Sequence, residues 1–375
     1  MSTFSAPDLG SQPVSCGLSL CQQDQFSFFS SMPMTSTVWF NKTFSHIRSA
    51  IALIRTGDTG NTFKIICSST NAHFEGFLEA DDIAIEPKGV IGMAYLNYCL
   101  DFCRQNSVQL FYPGKEAALI GQSYRLFKDI GTTVISVASQ QALDGIHNKA
   151  LFYEKYQSAS VPTPDFAVVN SFESFTAAYE HLKVQHPVLS IKPAISVYGI
   201  GFRVIDEHRS ALAHMLGGID YHVALSDLQR EFERAEHFKP LLLMEYLSGH
   251  EYSVDCLASN GRLRCAVQRR KGNDSRGGQV IEDREDILEA CHMLAEEESL
   301  NAIFNAQFRV SADGKLKMLE VNPRMSGGIA MSCLAGPNLP YLAVLDAFEG
   351  VNDEQITATK VGARVGEVRQ AIFYS

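Results

Sequence analysis

Two short runs of strand-type residues near the C-terminus carry amide and carboxylate side chains at alternate positions. The dipeptide Asp313-Gly314 lies between the runs and predicts a two-residue hairpin turn, because both central residues of that turn need a positive φ. Counting outward from the turn places Gln307 opposite Glu320. Further along, Asn305 lies opposite Asn322. Side chains alternate between the faces of a strand, so these polar groups share one face, and oxygen ligands clustered in this way suit Mg²⁺.

A cation and a pair of glycines directly follow the second strand of this hairpin. Arg324 comes after Asn322-Pro323, and Gly327-Gly328 follows with accessible backbone amides. A guanidinium beside backbone N–H groups is a suitable arrangement for holding an anion. The alternative is an ordinary hairpin with one solvated face, but such faces usually carry Lys, Glu and Thr rather than amides in register.

The composition is typical of a globular protein that buries a large core. The chain has 375 residues, of which 46% are hydrophobic and 20% charged, and this length favours two or three domains. The formal net charge of −10 argues against nucleic acid as a partner, because that function needs a basic face that neutralises phosphates. A local basic cleft for a small anion is still compatible with this charge.

The cysteines and the N-terminus indicate a cytoplasmic location. None of the nine cysteines has CxxC spacing, which argues against a zinc or thioredoxin-type site, and unpatterned cysteines fit a reducing compartment. Residues 1–35 contain no Lys or Arg and no sustained apolar run, so we expect a disordered leader and not a secretory signal. No window approaches the roughly 18 apolar residues of a membrane span, so no membrane partner is predicted.

The first part of the chain alternates short strands with helices. Between residues 36 and 145, strand patterns occur at 37–40, 63–68, 83–85, 108–112 and 133–137, and helix patterns at 45–55, 90–104 and 116–130. This alternation predicts an α/β domain with a parallel sheet and helices on both faces. The turn after the first strand, Asn41-Lys42-Thr43, lacks the GxGxxG pattern of dinucleotide-binding domains.

The remaining chain changes pattern twice. Residues 146–240 predict a small α+β subdomain with an antiparallel sheet. Residues 241–375 begin with an apolar strand at 241–247, which Glu245 interrupts. A hairpin follows on Asn260-Gly261, a favoured type I′ pair.

Four stretches in this order and spacing resemble the ATP-grasp superfamily. They are HNKALF, PVLSIKPA, LLLMEYLSGHEYSVD, and FNAQF together with MLEVNPRMSGG. The resemblance covers about residues 145–350 and is strongest to the ATP-grasp modules of the carbamoyl-phosphate synthetase large chain and to related carboxylate–amine ligases. It implies an α/β plus α+β protein: a parallel pre-ATP-grasp domain at 36–145, then a two-subdomain ATP-grasp fold. The small lid subdomain would be 146–240 and the catalytic subdomain 241–375.

By position, the resemblance implies a nucleotide site made of Lys149, Lys192, Glu245, Tyr246, Leu247 and Glu251. The two lysines would approach the ATP phosphates, the segment that begins at Glu245 would read the adenine edge, and Glu251 would accept hydrogen bonds from the ribose. Lys149 could instead be a solvated surface residue. Glu245 follows four apolar residues, where an unpaired carboxylate is costly, so it needs a partner such as the adenine amino group or a lysine.

The same resemblance implies that the hairpin holds the metal and performs phosphoryl transfer. Glu320 and Asn322 would hold Mg²⁺, with Mn²⁺ as an alternative, and Gln307 would be the third ligand. Arg324 would stabilise the transferring γ-phosphoryl group, and Lys192 would be the second catalytic cation. Phosphoryl transfer depends mainly on positioning and charge neutralisation, so this set needs no nucleophilic side chain.

Candidate substrate ligands lie in three places. Arg269 and Arg276 are candidates for the substrate carboxylate, because a guanidinium pairs with it bidentately. Gly327 and Gly328 would face the same acid. The glycine-containing stretches at 193–201 and 272–278 would be mobile lids that exclude water.

The sequence therefore predicts an ATP- and Mg²⁺-dependent ligase. It would activate a carboxylate as an acyl phosphate, join it to an amine, and release ADP and phosphate, with small-molecule acids and amines as substrates. One alternative is carboxyphosphate or carbamoyl-phosphate chemistry. Another is a nucleotide-binding regulator without catalysis. The sequence leaves open whether the protein forms a homodimer.

Overall fold

The computed structural model describes residues 35–41, 46–195, 200–216, 221–272 and 278–368. All of them belong to Thr35–Ser375, one of the two compact units into which the chain divides. The predicted leader, apart from Thr35, lies outside the described residues. So do Arg276 and parts of both predicted lids.

The first sheet is parallel throughout, as the alternating pattern predicts. Its elements are β1 (Ser36–Phe40), α1 (Ile47–Gly57), β2 (Phe63–Ser69), β3 (Asp82–Ile85), α2 (Gly92–Gln105), β4 (Leu110–Tyr112), α3 (Ala117–Gln122), α4 (Tyr124–Lys128) and β5 (Thr133–Val134). The strand order is β3-β2-β1-β4-β5. The helix predicted at 116–130 is two shorter helices, because the chain leaves helical geometry at Ser123.

Alternate residues of β1 supply the cores on the two faces of this sheet. Val38 and Phe40 pack with α1, whereas Trp39 between them packs with α2. All three side chains are fully buried. Period-two alternation on a buried strand therefore gives two apolar layers, each covered by helices.

The second sheet is mixed and mostly antiparallel. Its elements are α5 (Gln140–His147), α6 (Lys149–Tyr156), β6 (Phe166–Val169), α7 (Phe172–Lys183), β7 (Leu189–Pro193), β8 (Arg203–Asp206), α8 (Ala211–Leu216), β9 (His222–Ala224), α9 (Leu225–Arg234) and β10 (Leu241–Glu245). The strand order is β6-β10-β7-β8-β9, and only β8 and β9 run parallel. Because β10 lies between β6 and β7, this sheet extends beyond residue 240, where the sequence placed the end of the lid subdomain.

Side-chain caps set the ends of two helices around this sheet. Ser171 accepts a hydrogen bond from the backbone of Ser174 and forms a capping box at the start of α7. Asn148 separates α5 from α6, and its side chain accepts from the backbone N–H of Ala150. The cap at Asn148 fixes the backbone from which Lys149 projects.

The third sheet is antiparallel throughout. Its elements are β11 (Glu251–Ser259), β12 (Arg262–Lys271), β13 (Gln279–Glu282), α10 (Glu285–Glu297), β14 (Ala302–Val310), β15 (Leu316–Asn322), α11 (Ile329–Ala335), α12 (Leu339–Glu349) and β16 (Arg364–Val365). The strand order is β15-β14-β11-β12-β13-β16. Asn260 and Gly261 have φ of 50° and 82°, which confirms the type I′ turn between β11 and β12.

One apolar core joins the first and third sheets. Helix α12 packs on α1, and their side chains share a cluster with Leu257 of β11 and Ile303 of β14. This packing fixes the carboxyl ends of the parallel strands relative to the β14–β15 hairpin. Among the described residues, none of the helices has the length and apolar character that a membrane span requires.

Candidate active site

The β14–β15 hairpin has the predicted side-chain pairing but not the predicted turn. Gln307 lies opposite Glu320, and Asn305 lies opposite Asn322, so the polar pairing is confirmed. The two-residue turn is wrong: the backbone N–H of Ser311 donates to the Lys315 carbonyl at 2.8 Å, which leaves three residues in the loop. A β-bulge lies nearer the site: Gln307 pairs with Glu320 but Phe308 pairs with Met318, so β15 has one extra residue there. This bulge compensates for the register shift that the extra turn residue causes.

Hydrogen bonds order the polar face of this hairpin. The Gln307 amide donates to Asn305 Oδ1 at 3.3 Å. The Asn322 amide donates to Glu320 Oε1 at 3.1 Å, and Arg324 Nη2 approaches Asn322 Oδ1 at 3.5 Å. The amide and carboxylate oxygens that could bind a metal therefore form one surface with the Arg324 guanidinium. We call this surface the floor (Gln307, Glu320, Asn322 and Arg324).

Two buried lysines, one at the start of α6 and one on β7 of the second sheet, face the floor. Lys149, the first residue of α6, places Nζ 3.4 Å from Glu320 Oε2 and is only 8% exposed. Lys192 of β7 is 9% exposed, and its Nζ donates to Tyr153 Oη at 2.8 Å. The interpretation of Lys149 as a solvated surface residue is therefore wrong.

Burial and charge shift the pKa values of this cluster in a consistent way. Burial lowers the pKa of Lys192 to about 7, with Lys149 adding to the effect and Glu320 opposing it. Burial raises the pKa of Glu320, but Lys149, Lys192 and the Asn322 hydrogen bond together hold it below its usual value. Glu320 is therefore ionised at pH 7, and Lys192 is poised to gain or lose a proton.

The carboxylate of Glu245 at the end of β10 has the lysine partner that its burial requires. Lys317 Nζ lies 3.1 Å from Glu245 Oε1, which also accepts the backbone N–H of Asp165 at 3.1 Å. The next residue, Tyr246, donates its backbone N–H to the Val188 carbonyl at 3.0 Å. Lys192 on β7 pairs with Leu242 on β10, and Glu245 lies three residues further along β10. This separation corresponds to about 10 Å along the strand.

Glu251 and Arg309 lie next to this segment on the third sheet. The Glu251 carboxylate pairs with Lys271 and lies 3.9 Å from the Arg309 guanidinium. Arg309 also contacts the ring of Tyr246, with 5.8 Å between the guanidinium carbon and the ring centroid. These contacts bring Glu251 and the segment at Glu245–Leu247 into one region.

Arg269 occupies a different place from the one expected of a substrate ligand. Its guanidinium is fully buried and donates to Asp255 Oδ2 at 2.9 Å, Ser326 Oγ at 2.9 Å and Ser332 Oγ at 2.7 Å. A substrate carboxylate would have to displace these acceptors. The packing instead makes Arg269 a support beneath Gly328, where an added Cβ would lie 2.4 Å from Arg269 Nη1.

A cavity of about 500 Å³ adjoins the floor. Phe40, Tyr112 and Ile135, at or just after the carboxyl ends of β1, β4 and β5, line one side, and Lys149 and the floor residues Glu320, Asn322 and Arg324 line the other. Ligands of open parallel sheets bind outside the carboxyl ends of the strands, so this location suits a substrate. Gly327 lies nearby, and a Cβ there would come 3.0 Å from His46 Nε2.

Sequence reasoning missed several residues of this region. Lys317, Asp255 and Tyr153 hold the predicted residues in place, and Tyr112 lines the cavity. Asp255 carried a usable signal, because it is a carboxylate within the apolar run of β11. Tyr112 carried none, since only the contact between the first domain and the hairpin makes it part of the site.

Comparisons with known proteins identify a similar family and similar folds. The model of a family described as ATP-grasp in the biosynthetic pathway with Ter operon matches residues 237–371. A comparison with curated proteins finds no match.

Three solved structures illustrate the similarity of fold. N5-carboxyaminoimidazole synthetase from Staphylococcus aureus, complexed with ADP, is 13% identical with a TM-score of 0.60, and the match covers 85% of this chain and 79% of that one. L-amino acid ligase from Bacillus licheniformis is 12% identical with a TM-score of 0.57, covering 86% and 76%. The biotin carboxylase domain of 2-oxoglutarate carboxylase from Hydrogenobacter thermophilus, in complex with MgADP and bicarbonate, is 15% identical with a TM-score of 0.60, and the match covers 86% of this chain and 72% of that one. The chain therefore shares its fold with these three structures, and its residues 237–371 match an ATP-grasp family in sequence.

Proposed function

We propose that this protein is an ATP- and Mg²⁺-dependent ligase that activates a carboxylic acid as an acyl phosphate and joins it to an amine. The observation that carries the proposal is the buried contact between Lys149 and Glu320, with Lys192 close by and Arg324 at the end of the same floor. Buried cations that face oxygen ligands suit a polyphosphate whose charge must be neutralised during transfer.

The nucleotide site of the proposal combines residues of the second sheet and its helix α6 with Glu251 of the third sheet. Lys149 and Lys192 bind the phosphates, where a polyanion stabilises the protonated form of Lys192. The segment Glu245, Tyr246 and Leu247 contacts the adenine, and Glu251 accepts hydrogen bonds from the ribose. Support comes from similar folds whose structures contain ADP or MgADP.

The floor has the donor chemistry of a Mg²⁺ site. Glu320 supplies one ionised carboxylate, and Gln307 and Asn322 supply amide oxygens, while no group of three or more His, Cys, Asp or Glu side chains gathers within the described ranges. Mn²⁺ accepts the same oxygen ligands. When bound, the ion would neutralise charge on the ATP phosphates.

The proposed reaction has two steps. A substrate carboxylate oxygen attacks the γ-phosphorus, the bond between that phosphorus and the β–γ bridging oxygen breaks, and Arg324 stabilises the transferring group. The amine nitrogen then attacks the acyl carbon, and the carbon–oxygen bond to phosphate breaks. The amine loses a proton, and His46 and His147 line the cavity where this occurs. Burial lowers the pKa of both imidazoles, so each is neutral at pH 7.

ADP release from ATP tests the proposal. The enzyme is incubated with Mg²⁺, a panel of carboxylic acids, and either amino acids or hydroxylamine as the amine. With hydroxylamine as the amine, we expect ADP only when a carboxylic acid is present, whereas amino acids supply a carboxylate themselves. We expect Glu320→Gln to lower the rate of ADP release by 100-fold or more, and Glu289→Gln, the same change on the exposed face of α10, to leave it unchanged.

The two alternatives give different results in the same assay. Carboxyphosphate chemistry predicts ADP release with bicarbonate alone and no dependence on the organic acid. A nucleotide-binding regulator predicts ATP binding that depends on Lys192 but no ADP with any acid. Either result would overturn the ligase proposal.

A further inference from the structure

Asn305 lies on the polar face of the β14–β15 hairpin, but the proposed reaction assigns it no role. The residue is 1% exposed, so its amide must find its hydrogen-bond partners inside the protein. In register, Asn305 lies between Asp255 of β11 and Asn322 of β15. The polar face therefore continues from the floor into the buried part of the third sheet.

A buried ion pair fixes which way the Asn305 amide points. Asp255 is fully buried, and its Oδ2 accepts hydrogen bonds from Arg269 at 2.9 Å and from Ser332 at 2.6 Å. Asn305 Nδ2 lies 3.0 Å from Asp255 Oδ1 and 3.0 Å from the Val254 carbonyl oxygen. A carboxylate and a backbone carbonyl can only accept, so the NH₂ group of Asn305, and not its oxygen, must lie here. The Asn305 oxygen therefore faces away from Asp255.

The orientation of Asn305 in turn decides the orientation of Gln307. The Asn305 NH₂ group has a third acceptor in Ser253 Oγ at 3.0 Å, and its Oδ1 accepts from Gln307 Nε2 at 3.3 Å. Because Asn305 Oδ1 can only accept, Gln307 must present its own NH₂ group, and Gln307 Oε1 then points away from Asn305. This leaves Gln307 Oε1 as the amide atom that a cation beside Glu320 can bind.

We propose that Asn305 is a positioning residue for the metal site, which holds the Gln307 amide so that its oxygen, and not its NH₂ group, faces the cation. The inference rests on the proposed function, because it takes Gln307 as a ligand of the Mg²⁺ that accompanies ATP. The orientation originates in the buried pair of Asp255 and Arg269. The fixed Asn305 oxygen also disfavours a carboxylate at position 307, since an ionised carboxylate has no hydrogen to donate to it.

A purely structural role for Asn305 makes a different prediction from a role at the metal site. Its amide satisfies the buried acceptors of Asp255 and Val254, so its removal destabilises the third sheet in either case. That loss does not depend on the side chain at position 307. A positioning role does depend on it, because Asn305 then acts only through the Gln307 amide, and a measurement on both residues separates the two roles.

Binding of Mn²⁺ in the presence of ADP tests the positioning role without the ligase reaction. Electron paramagnetic resonance measures free Mn²⁺ with the wild-type protein, Asn305→Ala, Gln307→Ala and the double variant. We expect each single substitution to weaken Mn²⁺ binding about tenfold, because loss of a metal ligand or of the group that orients it has effects of this size. The double variant should bind Mn²⁺ within about twofold of Gln307→Ala, since Asn305 has no further effect once the Gln307 amide is gone.

Two results of this experiment would overturn the inference. One is an Asn305→Ala variant with unchanged Mn²⁺ affinity. The other is an equal loss of Mn²⁺ affinity from Asn305→Ala in the wild-type and Gln307→Ala proteins, because a general loss of structure does not depend on Gln307. Asn338→Ala is the matched control: Asn338 caps α12 and donates to the Leu53 carbonyl at 2.6 Å, outside the floor, so its removal should leave Mn²⁺ affinity unchanged.

Gln307→Glu keeps the inference testable if Asn305→Ala does not fold. Although it adds a carboxylate, we expect it to bind Mn²⁺ no more than about threefold tighter than the wild-type protein, because Asn305 Oδ1 opposes the added charge. A gain of about tenfold or more would show that the Asn305 amide turns freely, and it would overturn the inference. Any of these contrary results leaves the ligase function standing if ADP release depends on an acid, whereas no ADP with any acid overturns the ligase function itself.

Discussion

Lys192 provides the most quantitative prediction about the site. Its pKa of about 7 compares with an ordinary value of 10.5. At 1.36 kcal/mol for each pKa unit, this difference corresponds to roughly 5 kcal/mol of unfavourable free energy for the buried ammonium. The groups that face Lys192 are Glu320, which favours the charge, Lys149, which opposes it, and the hydroxyl of Tyr153.

The sign of the pH dependence follows from proton binding in the two states. The unfolded chain keeps the lysine proton up to a pH of about 10.4, whereas the folded protein releases it near pH 7. Between these values the unfolded state binds more protons, so the Lys192 contribution to the free energy of unfolding rises with pH. Below pH 7 both states are protonated and the full cost is present.

Lys192→Met should therefore be more stable than the wild-type protein at pH 6, by about 2 kcal/mol or more after loss of the hydrogen bond to Tyr153. This advantage should shrink as the pH approaches 10. Urea unfolding at several pH values measures it, with Lys128→Met as the exposed control. If the difference in free energy of unfolding between the wild-type protein and Lys192→Met were the same at pH 6 and pH 9, the lowered pKa of Lys192 would be refuted.

The same group should link ATP binding to proton uptake. Bound phosphates favour the charged lysine, so ATP affinity should fall by up to tenfold for each pH unit above 7. Calorimetric titration with ATP in two buffers of different ionisation enthalpy measures the number of protons taken up on binding. We expect the wild-type protein to take up as much as one proton at pH 8. The Lys192→Met variant should bind ATP weakly and take up none. Equal proton uptake in both proteins would contradict the placement of Lys192 at the phosphates.

Three further predictions concern buried contacts of the site. Lys317→Met leaves the Glu245 carboxylate without its cation and should cost about 2–4 kcal/mol in urea unfolding, and a loss below 0.5 kcal/mol would contradict their pairing. Asp255→Asn should cost about 3–5 kcal/mol in the same measurement, because it leaves the Arg269 charge buried without its carboxylate, and an unchanged midpoint would show that the pair is unimportant. Gly328→Ala should lower stability by about 1–3 kcal/mol, since its Cβ meets Arg269 at 2.4 Å, and a neutral effect would show that the guanidinium moves freely.

The hairpin shows how far local sequence rules reach. The pairing of Gln307 with Glu320 was predictable from the polar alternation, although the turn and the bulge were both missed. The two errors cancel, because an extra residue in the turn and an extra residue in β15 shift the register in opposite directions. Alternation over a buried face constrains register more strongly than the turn does.

Contacts between distant parts of the chain were less predictable. The requirement for a partner of Glu245 followed from burial alone, but its identity as Lys317 depended on how the second and third sheets meet. Arg269 has the same residue type as a substrate ligand, and only the presence of Asp255 on the neighbouring strand shows that it is a structural cation. Tyr112 became part of the site only through the packing of the first domain on the hairpin.

The fate of the acid oxygen tests the proposed chemistry most directly. The acid that gives the fastest ADP release is labelled with ¹⁸O in its carboxylate, and the released phosphate is analysed by mass spectrometry. An acyl phosphate mechanism at the floor predicts one ¹⁸O atom in the phosphate, and no labelled phosphate above background with Glu320→Gln. Phosphate that forms at the wild-type rate without ¹⁸O would contradict activation of the carboxylate by ATP.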